Sequence, residues 1–509
     1  MKKFVCVHGH FYQPPRENPW TGEVEEEPSA APYHDWNERI AKECYEANAR
    51  ATILSPKGEA MSFVNNYELI SFDIGPTLLS WLKRKSPATY RAILEADKSS
   101  AAVSGGHGNA IAQVYNHLIM PLAKKRDKIT QIVWGIADFE HHYGRKPEGM
   151  WLSEAAVDRE TLRLMADQGI LYTVLAPHQA KRVRRLGFGS KWTMLHHEGV
   201  DTRRAYRIWL ESGRQLHLFF YDAPVSRAVA FQGLLHSGDH LAHQLLNAFG
   251  HGDHAQLVSM AVDGETFGHH HRFGEMAVAY GLKKIREHKQ AVLTNYGQFL
   301  EQQGSQWEAD IFENSSWSCA HGVERWRSDC GCRMNHEAGW NQKWRTVLRE
   351  AFDWLQAAVD KCFEEQCDKY LKDPWQTRNE YIRVILDPVE KERRRLLGRH
   401  AKRLLKPEEE AQLWRLLEAQ KFSLFMYTSC GWFFDDISGI EPVQVMKFAA
   451  RALELVQPFV QTPLEEGFLK ILDKAKSNIP SNGTGKDIYE RRVKTAQVPS
   501  AGAGLGATR

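Results

Sequence analysis

Two acidic residues follow apolar runs in a way that suits acid–base chemistry. Glu154 lies in the segment GMWLSEAA (149–156), and Asp263 lies in MAVDGETFGHHH (260–271). A carboxylate at a strand-to-helix turn can simply be favoured by the helix dipole, and Asp-Gly is common in ordinary turns. At the same end of one sheet, however, the two would supply the pair that glycoside hydrolysis requires, in which one carboxylate attacks and the other protonates the leaving oxygen.

Two histidines stand at the end of the first apolar run of the chain. Residues 4–7 (FVCV) have the composition of a buried strand, and Pro14 and Pro15 prevent the strand from continuing. Because side chains alternate along a strand, His8 and His10 point to the same side. They are therefore either a polar strand end that faces water or a pair that binds a ligand.

The elements that must position these residues are short apolar strands separated by amphipathic helices, which predicts parallel strands with helical crossovers. The seven runs are FVCV (4–7), LISFDI (69–74), AAV (101–103), GMWL (149–152), LYTVL (171–175), LHLFFY (216–221) and LVSMAV (257–262). Nearly all of them end in polar residues, namely His8, His10, His107, Glu154, His178, Asp222, Asp263 and Glu265. The carboxyl ends of parallel strands form the working face of barrels and doubly wound sheets, so the pattern predicts an α/β fold with an active-site rim.

The strand signal fades after about Tyr280, and leucines then recur at helical spacing among charged residues and tryptophans. We therefore predict a β/α barrel over residues 1–300 and a mostly helical domain over 305–475. The segment 476–509 is rich in Gly, Ser, Pro and Ala, which predicts a disordered tail.

The composition excludes several classes of function. The 66 basic and 63 acidic residues leave a net charge of +3, too small for a strong field toward nucleic acid or an anionic membrane. The basic run at 391–410 has leucines at helical spacing, which is typical of a solvated helix face. Eight cysteines in 509 residues form no disulfide framework, and the first apolar run is too short for a signal peptide. We expect a cytoplasmic protein without nucleic-acid or membrane partners; nothing in the sequence indicates its oligomeric state.

Four segments resemble the signature regions of glycoside hydrolase family 57. HGHFYQPP (8–15), GMWLSEAA (149–156) and VDGETFGHH (262–270) resemble the first, third and fourth regions in that order, and YNHLIMPLA (115–123) more loosely resembles the second. The family is known for amylases, 4-α-glucanotransferases, branching enzymes and amylopullulanases that act on α-glucans. The resemblance implies a distorted seven-stranded β/α barrel followed by a helical domain.

By motif position, the resemblance implies that Glu154 is the nucleophile and Asp263 the acid/base of a retaining reaction without a cofactor. It implies that His8 and His10 contact the sugar and are not metal ligands. Further candidates for contacts with an oligo- or polysaccharide are Tyr12, His107, Trp151, Asp222, Glu265, His269, Trp317 and Trp326. The linkage, α-1,4 or α-1,6, and the choice between hydrolysis and transglycosylation stay open.

Three alternatives remain at the level of the sequence. A His-x-His motif also begins the zinc site of retaining α-mannosidases, but Tyr12 stands where that site takes an aspartate. The chain also lacks the early Asp-Asp pair of carbohydrate deacetylases with similar architecture. A non-catalytic oligosaccharide-binding protein would not need both carboxylates. We therefore expect catalysis without a metal.

A separate cluster has the spacing C-x-H-x8-C-x-C. It consists of Cys319, His321, Cys330 and Cys332. These residues are candidate ligands of a structural zinc, and the alternative is a loop whose thiols pack against tryptophans.

Overall fold

The computed structural model describes residues 2–195, 199–211, 213–287, 291–335 and 337–497. The chain divides into two compact units: the first contains residues 1–14, 27–323 and 382–388, and the second contains 15–26, 324–381 and 389–509. The boundary at 323/324 falls within a loop, so the residues on either side of it belong to one continuous stretch of chain. Among the described residues, no helix is both long enough and apolar enough to cross a membrane.

Among the described residues, the strands belong to the first unit. They are β1 (Lys3–Phe11), β2 (Ala51–Leu54), β3 (Ala60–Val64), β4 (Ser71–Ile74), β5 (Ala112–Gln113), β6 (Met150–Trp151), β7 (Tyr172–Leu175), β8 (Ala180–Arg185), β9 (Thr193–Met194), β10 (Tyr206–Trp209), β11 (Gln215–Phe220), β12 (Gln256–Asp263), β13 (Val292–Leu293) and β14 (Trp307–Ile311).

Strand β1 is the centre of a parallel sheet. It pairs with β12 along eight residues, and its other edge pairs with β13 at the start and with β4 at the end. Nearly every residue of β1 is buried, which explains why its sequence reads as a continuous apolar run and does not alternate. The predicted parallel arrangement is confirmed for these strands.

Four more strands of the first unit form parallel pairs. Strands β5 and β6 pair in parallel, as do β7 and β11, and single bridges join Phe72 to Ala110 and Gly149 to Tyr172. Strand β11 also pairs with the antiparallel strand β10, which leads through β14 and β8 to β9. The fold is therefore mixed α/β, and its sheet topology is more elaborate than seven parallel strands.

One predicted strand is wrong. The run AAV (101–103) is the end of a long helix, Pro87–Val103, and the strand in this part of the chain is the two-residue β5. Alanine is the strongest helix former, so its two copies extend the helix that precedes them.

The helices of the first unit flank these strands. They are α1 (Trp36–Ile40), α2 (Glu46–Ala49), α3 (Pro76–Lys85), α4 (Pro87–Val103), α5 (Lys125–Tyr143), α6 (Arg159–Asp167), α7 (Ala223–Phe231), α8 (Gly238–Asn247), α9 (Gly274–Glu287) and α10 (Tyr296–Gln303), with α13 (Ile382–Leu386) added from a later part of the chain. Local signals set several boundaries. Asp158 accepts a hydrogen bond from the Thr161 N–H at the start of α6, and Gly144 ends α5 with a φ of 68°.

The second unit is helical over its described residues. Its helices are α11 (Trp344–Cys367), α12 (Pro374–Glu380), α14 (Glu390–His400), α15 (Pro407–Phe425), α16 (Cys430–Phe433), α17 (Ile440–Val456), α18 (Leu464–Leu472) and α19 (Gly485–Ile488). Helix α14 carries the basic run; Leu396 and His400 are its buried residues, and most of its charged side chains are exposed.

The predicted tail begins too early. Helix α19 and a further turn at 489–493 occupy part of it, and the side chains of Ile488, Tyr489 and Val493 are fully buried. Residues 498–509 lie outside the described residues. The composition of the segment predicted disorder because it does not show that these three apolar side chains are buried in the fold.

Candidate active site

The register of the central sheet aligns three polar residues. His10 on β1 lies opposite Asp73 on β4 and opposite Asp263 on β12. Because the three strands are parallel, their carboxyl ends meet at one edge. Two aspartates therefore flank one histidine at the position where the rim was predicted.

Glu154 lies in a strained turn directly after β6. Its backbone is left-handed, with φ 57° and ψ 22°, and Ala155 also has a positive φ of 47°. Such a conformation costs a residue other than glycine about 1–2 kcal/mol and persists only where neighbouring contacts impose it. Here the N–H of Trp317 donates to the carbonyl of Glu154 at 2.9 Å.

The side chain of Glu154 is held by the same loop. One carboxylate oxygen, Oε2, accepts hydrogen bonds from the indole Nε1 of Trp317 at 3.0 Å and from the hydroxyl of Ser318 at 2.6 Å. Donors aimed at one oxygen stabilise its negative charge and fix its direction. The arrangement presents an oriented carboxylate.

Asp263 is the last residue of β12, and its side chain is exposed at the rim although many protein atoms lie close to its carboxyl group. Desolvation by the surrounding protein raises the pKa of Asp263 to about 6; the charge of His10 opposes this shift, and the negative charges of Glu154 and Asp73 add to it. The influence of Glu154 on this pKa is electrostatic evidence that the two carboxylates share one site.

A third carboxylate, Glu265, lies in the turn after β12. It is buried, and its Oε1 accepts hydrogen bonds from the hydroxyl of Tyr45 at 2.6 Å and from the Tyr12 N–H at 3.1 Å. Burial raises the pKa of Glu265 to about 7, although the Tyr45 hydrogen bond opposes the shift. The turn is tight because Gly264 packs on the Phe11 ring, where a Cβ atom would approach to 2.4 Å.

His10 is a buried cation. Burial alone would lower the pKa of His10, but Asp73, whose Oδ2 lies 2.8 Å from Nδ1, outweighs burial and raises the pKa to about 9. The second nitrogen, Nε2, lies 3.0 Å from Nε2 of His117, whose own pKa is lowered well below the usual value by burial and by the charge of His10. The imidazolium of His10 therefore donates to both Asp73 and a neutral His117.

His8 lies one layer deeper than His10. It is fully buried, with Nδ1 at 3.0 Å from the Ser71 hydroxyl and Nε2 at 3.2 Å from Oδ1 of Asp73. Its ring stacks on Trp151, as does that of His10, each with ring centroids 5.0 Å apart. Asp73 thus accepts from both histidines of the motif.

Several other predicted residues join this cluster. Tyr12 stacks on His117 with ring centroids 3.6 Å apart, and Trp317 packs edge-on against Trp151 at 5.0 Å. Two predicted residues have partners of their own at the periphery: Asp222 accepts from the Val225 N–H and caps helix α7, and His269 is hydrogen-bonded to Glu43.

The structure does not bring His107 to this site. Its Nδ1 is 2.9 Å from Glu148, which precedes β6, and its Nε2 is 3.1 Å from Glu301. Because Glu148 and Glu154 lie at opposite ends of β6, His107 belongs to the other end of the strands. Trp326 is fully buried in the second unit, in the turn Glu324–Trp326.

Sequence reasoning missed four residues of the site. They are Tyr45, Asp73, His117 and Ser318. Asp73 interrupts the apolar run LISFDI, and His117 lies in the segment that resembles the second family region, so each carried a signal. Tyr45 and Ser318 come from helical and loop segments without a motif, and only their contacts reveal them.

The Cys/His cluster also assembles. The ligand atoms of Cys319, His321, Cys330 and Cys332 all lie within 4.8 Å of one another.

Comparison with known proteins identifies the family of the chain. The sequence profile described as glycosyl hydrolase family 57 matches residues 7–306, and a profile described only as a domain of unknown function (DUF3536) matches residues 340–506. Because the family 57 profile covers more than half of the chain, this protein belongs to glycosyl hydrolase family 57, a family of enzymes that act on glycosidic bonds. No curated protein matches the chain significantly.

Solved structures share the fold at low sequence identity. An exo-type maltose-forming amylase from Pyrococcus sp. ST04 aligns with a TM-score of 0.71 at 16% identity, over 96% of this chain and 88% of that chain. A branching enzyme from Pyrococcus horikoshii aligns with a TM-score of 0.53 at 14% identity, over 97% and 95% of the two chains. A branching enzyme from Thermococcus kodakaraensis aligns with a TM-score of 0.51 at 14% identity, over 97% of this chain and 94% of that chain.

Proposed function

We propose that this protein is a retaining glycoside hydrolase or transglycosylase acting on α-glucans, with Glu154 as the nucleophile and Asp263 as the acid/base. The observation that carries the proposal is the contrast between the two carboxylates. Glu154 accepts two hydrogen bonds on Oε2, whereas the pKa of Asp263 is raised to about 6. An oriented carboxylate beside a carboxyl group with a raised pKa is the division of labour that retaining hydrolysis needs.

The reaction has two halves. In the first, Asp263 donates its proton to the glycosidic oxygen as the bond from that oxygen to the anomeric carbon breaks, and Glu154 forms an ester with the anomeric carbon. In the second, an incoming hydroxyl group attacks the anomeric carbon, Asp263 takes its proton, and the ester bond to Glu154 breaks. Water as the acceptor gives hydrolysis, and a sugar hydroxyl gives transfer.

Two considerations support an α-glucan as the substrate. The chain belongs to family 57, and the structures that share its fold are named as a maltose-forming amylase and branching enzymes. The site also carries aromatic rings, since Tyr12 and Trp317 lie beside the catalytic groups. Such rings stack well on the apolar faces of sugars.

The reaction as proposed needs no metal at the histidine pair. Each ring nitrogen of His8 and His10 lies 2.8–3.2 Å from a protein acceptor or donor. Asp73 also uses both carboxylate oxygens for these contacts. This network supports a role for the two histidines in charge balance, whereas the sugar contact that the family resemblance implies stays a prediction.

The finer architecture proposed is a distorted seven-stranded barrel in the order β12, β1, β4, β5, β6, β7, β11. Two single bridges, Phe72 to Ala110 and Gly149 to Tyr172, support the continuity of this order. A hydrogen bond from the Asp222 N–H to the Ser259 carbonyl at 2.7 Å, between the end of β11 and β12, supports its closure.

The experiment that tests the proposal separates binding from turnover. Glu154→Gln keeps nearly the same shape but cannot attack, so turnover of an α-glucan should fall at least about 1000-fold while the Kd for the glucan changes little. Glu301→Gln, a carboxamide variant on the His107 side of the unit, is the matched control and should retain normal turnover. Azide should rescue Glu154→Ala by forming a glycosyl azide of inverted configuration.

A second variant tests the acid. Asp263→Asn should impair substrates with poor leaving groups far more than activated aryl glycosides, which need little protonation. Near-normal turnover of a glucan by Glu154→Gln or Asp263→Asn would contradict the assignment. The two carboxyl groups should lie about 5–5.5 Å apart in a crystal structure, and a separation of about 8 Å would indicate an inverting enzyme.

A further inference from the structure

We propose that Cys319, His321, Cys330 and Cys332 form a structural zinc site. All four residues come from one continuous loop, and their ligand atoms lie within 4.8 Å of one another. In a tetrahedral zinc site with Zn–S bonds of about 2.3 Å and Zn–N bonds of about 2.1 Å, the ligand atoms lie about 3.5–3.8 Å apart. The observed set therefore needs a contraction of about 1 Å at most to surround one ion.

The type of ligand selects the metal. Three thiols and one imidazole are borderline to soft donors, which favour Zn²⁺ over Ca²⁺ or Mg²⁺. Four protein ligands also fill a tetrahedral shell and leave no open position for a substrate. The inferred role is therefore structural, and it is separate from the reaction at Glu154 and Asp263.

The backbone of the loop is shaped so that the ligands converge. Gly331, between Cys330 and Cys332, has a φ of 83°, a conformation that glycine adopts without the penalty of a side chain. Gly322 follows His321 with the same φ, and its N–H donates to the Cys319 carbonyl at 3.1 Å. Each pair of ligands thus lies beside a glycine turn.

Burial and second contacts suit a metal that is held by the protein. Cys319 is buried, Cys330 and Cys332 are partly buried, and His321 is exposed, so the imidazole side offers a route for the ion. The buried guanidinium of Arg345 donates to the carbonyl of Cys332 at 2.9 Å and anchors that end of the loop. Outer contacts of this kind orient metal ligands.

The length of the loop also suits a cross-link of this kind. Between the end of β14 at Ile311 and the start of α11 at Trp344, the described residues form no strand and only one short helical turn, Glu324–Trp326. Loops of such length without secondary structure of their own are uncommon in compact domains, and ordered ones are usually functional. A tetrahedral metal that joins residues 319 and 332 would supply the cross-link.

The test measures metal in the purified full-length chain. After loading with Zn²⁺ and removal of the excess, we expect one zinc per chain. Loading with Co²⁺ instead should give a thiolate-to-cobalt charge-transfer band together with the strong visible bands of tetrahedral cobalt. Cys330→Ser and Cys332→Ser should lower zinc affinity at least about tenfold, whereas Cys430→Ser, which also alters a partly buried thiol, should bind zinc as the wild type does.

Two results with zinc would overturn the proposal. One is a zinc content far below one per chain in the loaded wild type, and the other is equal zinc affinity in the wild type and both loop variants. If the serine variants fail to fold, the wild-type cobalt spectrum decides, since absence of the thiolate band contradicts thiol ligation. None of these readouts depends on the identity of the sugar substrate, so they remain distinct from tests of Glu154 and Asp263.

Discussion

At the scale of single residues, the charge of His10 depends chiefly on Asp73. The pKa of His10 is raised to about 9 in the folded protein, above its unfolded value of about 6.5. This group therefore contributes stability that is fully present below about pH 6.5 and is lost as the pH rises through about 9. The difference corresponds to about 3 kcal/mol of unfolding free energy.

Asp73→Asn should remove this contribution. At pH 6 the variant should be less stable than the wild type, because a buried His10 loses its counter-charge. As the pH rises to about 9.5, the gap in unfolding free energy should narrow by about 3 kcal/mol. Urea unfolding of both proteins between pH 6 and about pH 9.5 measures this difference in unfolding free energy. A difference that is independent of pH would show that His10 is neutral in the native state.

The proposed acid should govern the basic limb of the pH profile. Because the pKa of Asp263 is raised to about 6 by desolvation and by Glu154, kcat/KM should decline above about pH 6 as the proton is lost. Glu265 titrates nearby with a pKa raised to about 7, so the Glu265→Gln variant is the control. In Glu265→Gln, the decline of kcat/KM should still occur near pH 6. If the decline disappears in this variant, the group that titrates is Glu265.

The residues proposed to do chemistry were more predictable than those that support them. Glu154 and Asp263 follow apolar runs in distinct motifs, and His8 and His10 share a strand face. Asp73 was visible only as a polar break in a strand, because its role depends on β4 lying beside β1. Strand neighbours are set by long-range packing, which a single sequence does not specify.

At the scale of elements, the loop after β14 controls the direction of the proposed nucleophile. Ser318→Ala removes the 2.6 Å hydrogen bond to Oε2 of Glu154 and leaves the indole contact in place. A hydrogen bond to a charged group contributes about 1.5–3 kcal/mol, so kcat should fall by about 10- to 100-fold. Steady-state kinetics on an α-glucan measures the change.

The matched control lies in the same loop. The Ser316 hydroxyl donates to the Gly322 carbonyl and does not touch Glu154, so Ser316→Ala should affect thermal stability more than kcat. If the two serine variants had equal kcat values, the contact between Ser318 and Glu154 would have no catalytic role.

Element type could be predicted where a segment was long or strongly apolar. Strands β1, β4, β7, β11 and β12 all coincide with apolar runs. The failure at 101–103 arose because three apolar residues carry no period, and the alanines continued helix α4. The true strand β5 has only two residues, too few to leave a pattern.

At the scale of the whole molecule, the C-terminal segment contributes to the stability of the second unit. The ring of Tyr489 is fully buried, packs edge-on against Phe468 at 5.9 Å, and its hydroxyl donates to Glu465 at 3.0 Å. Tyr489→Ala should therefore cost about 3–5 kcal/mol of unfolding free energy, as large-to-small changes of buried aromatic residues do.

Thermal unfolding followed by circular dichroism checks this expectation, with Tyr489→Phe as the control. This variant should keep most of the melting temperature, because the ring still packs on Phe468 and only the hydrogen bond to Glu465 is lost. A Tyr489→Ala variant as stable as the wild type would mean that the segment does not pack in solution as described.

The division into an α/β part and a helical part could be foreseen from the change in periodicity near Tyr280. The exact path of the chain could not, because residues 15–26 belong to the second unit and 382–388 belong to the first. Such excursions are decided by packing between segments distant in sequence, which leaves no local pattern.

The indole of Trp317 makes the charge of the proposed nucleophile observable by spectroscopy. Its Nε1 donates to Glu154 Oε2 at 3.0 Å, so the ring lies in the field of one carboxylate. Formation of a glycosyl ester would remove that negative charge and weaken the hydrogen bond. In protein labelled with fluorotryptophan, the resonance assigned by Trp317→Phe would then move during turnover and return when the ester is hydrolysed. One side chain would thus report in real time how long the enzyme remains covalently bound to sugar.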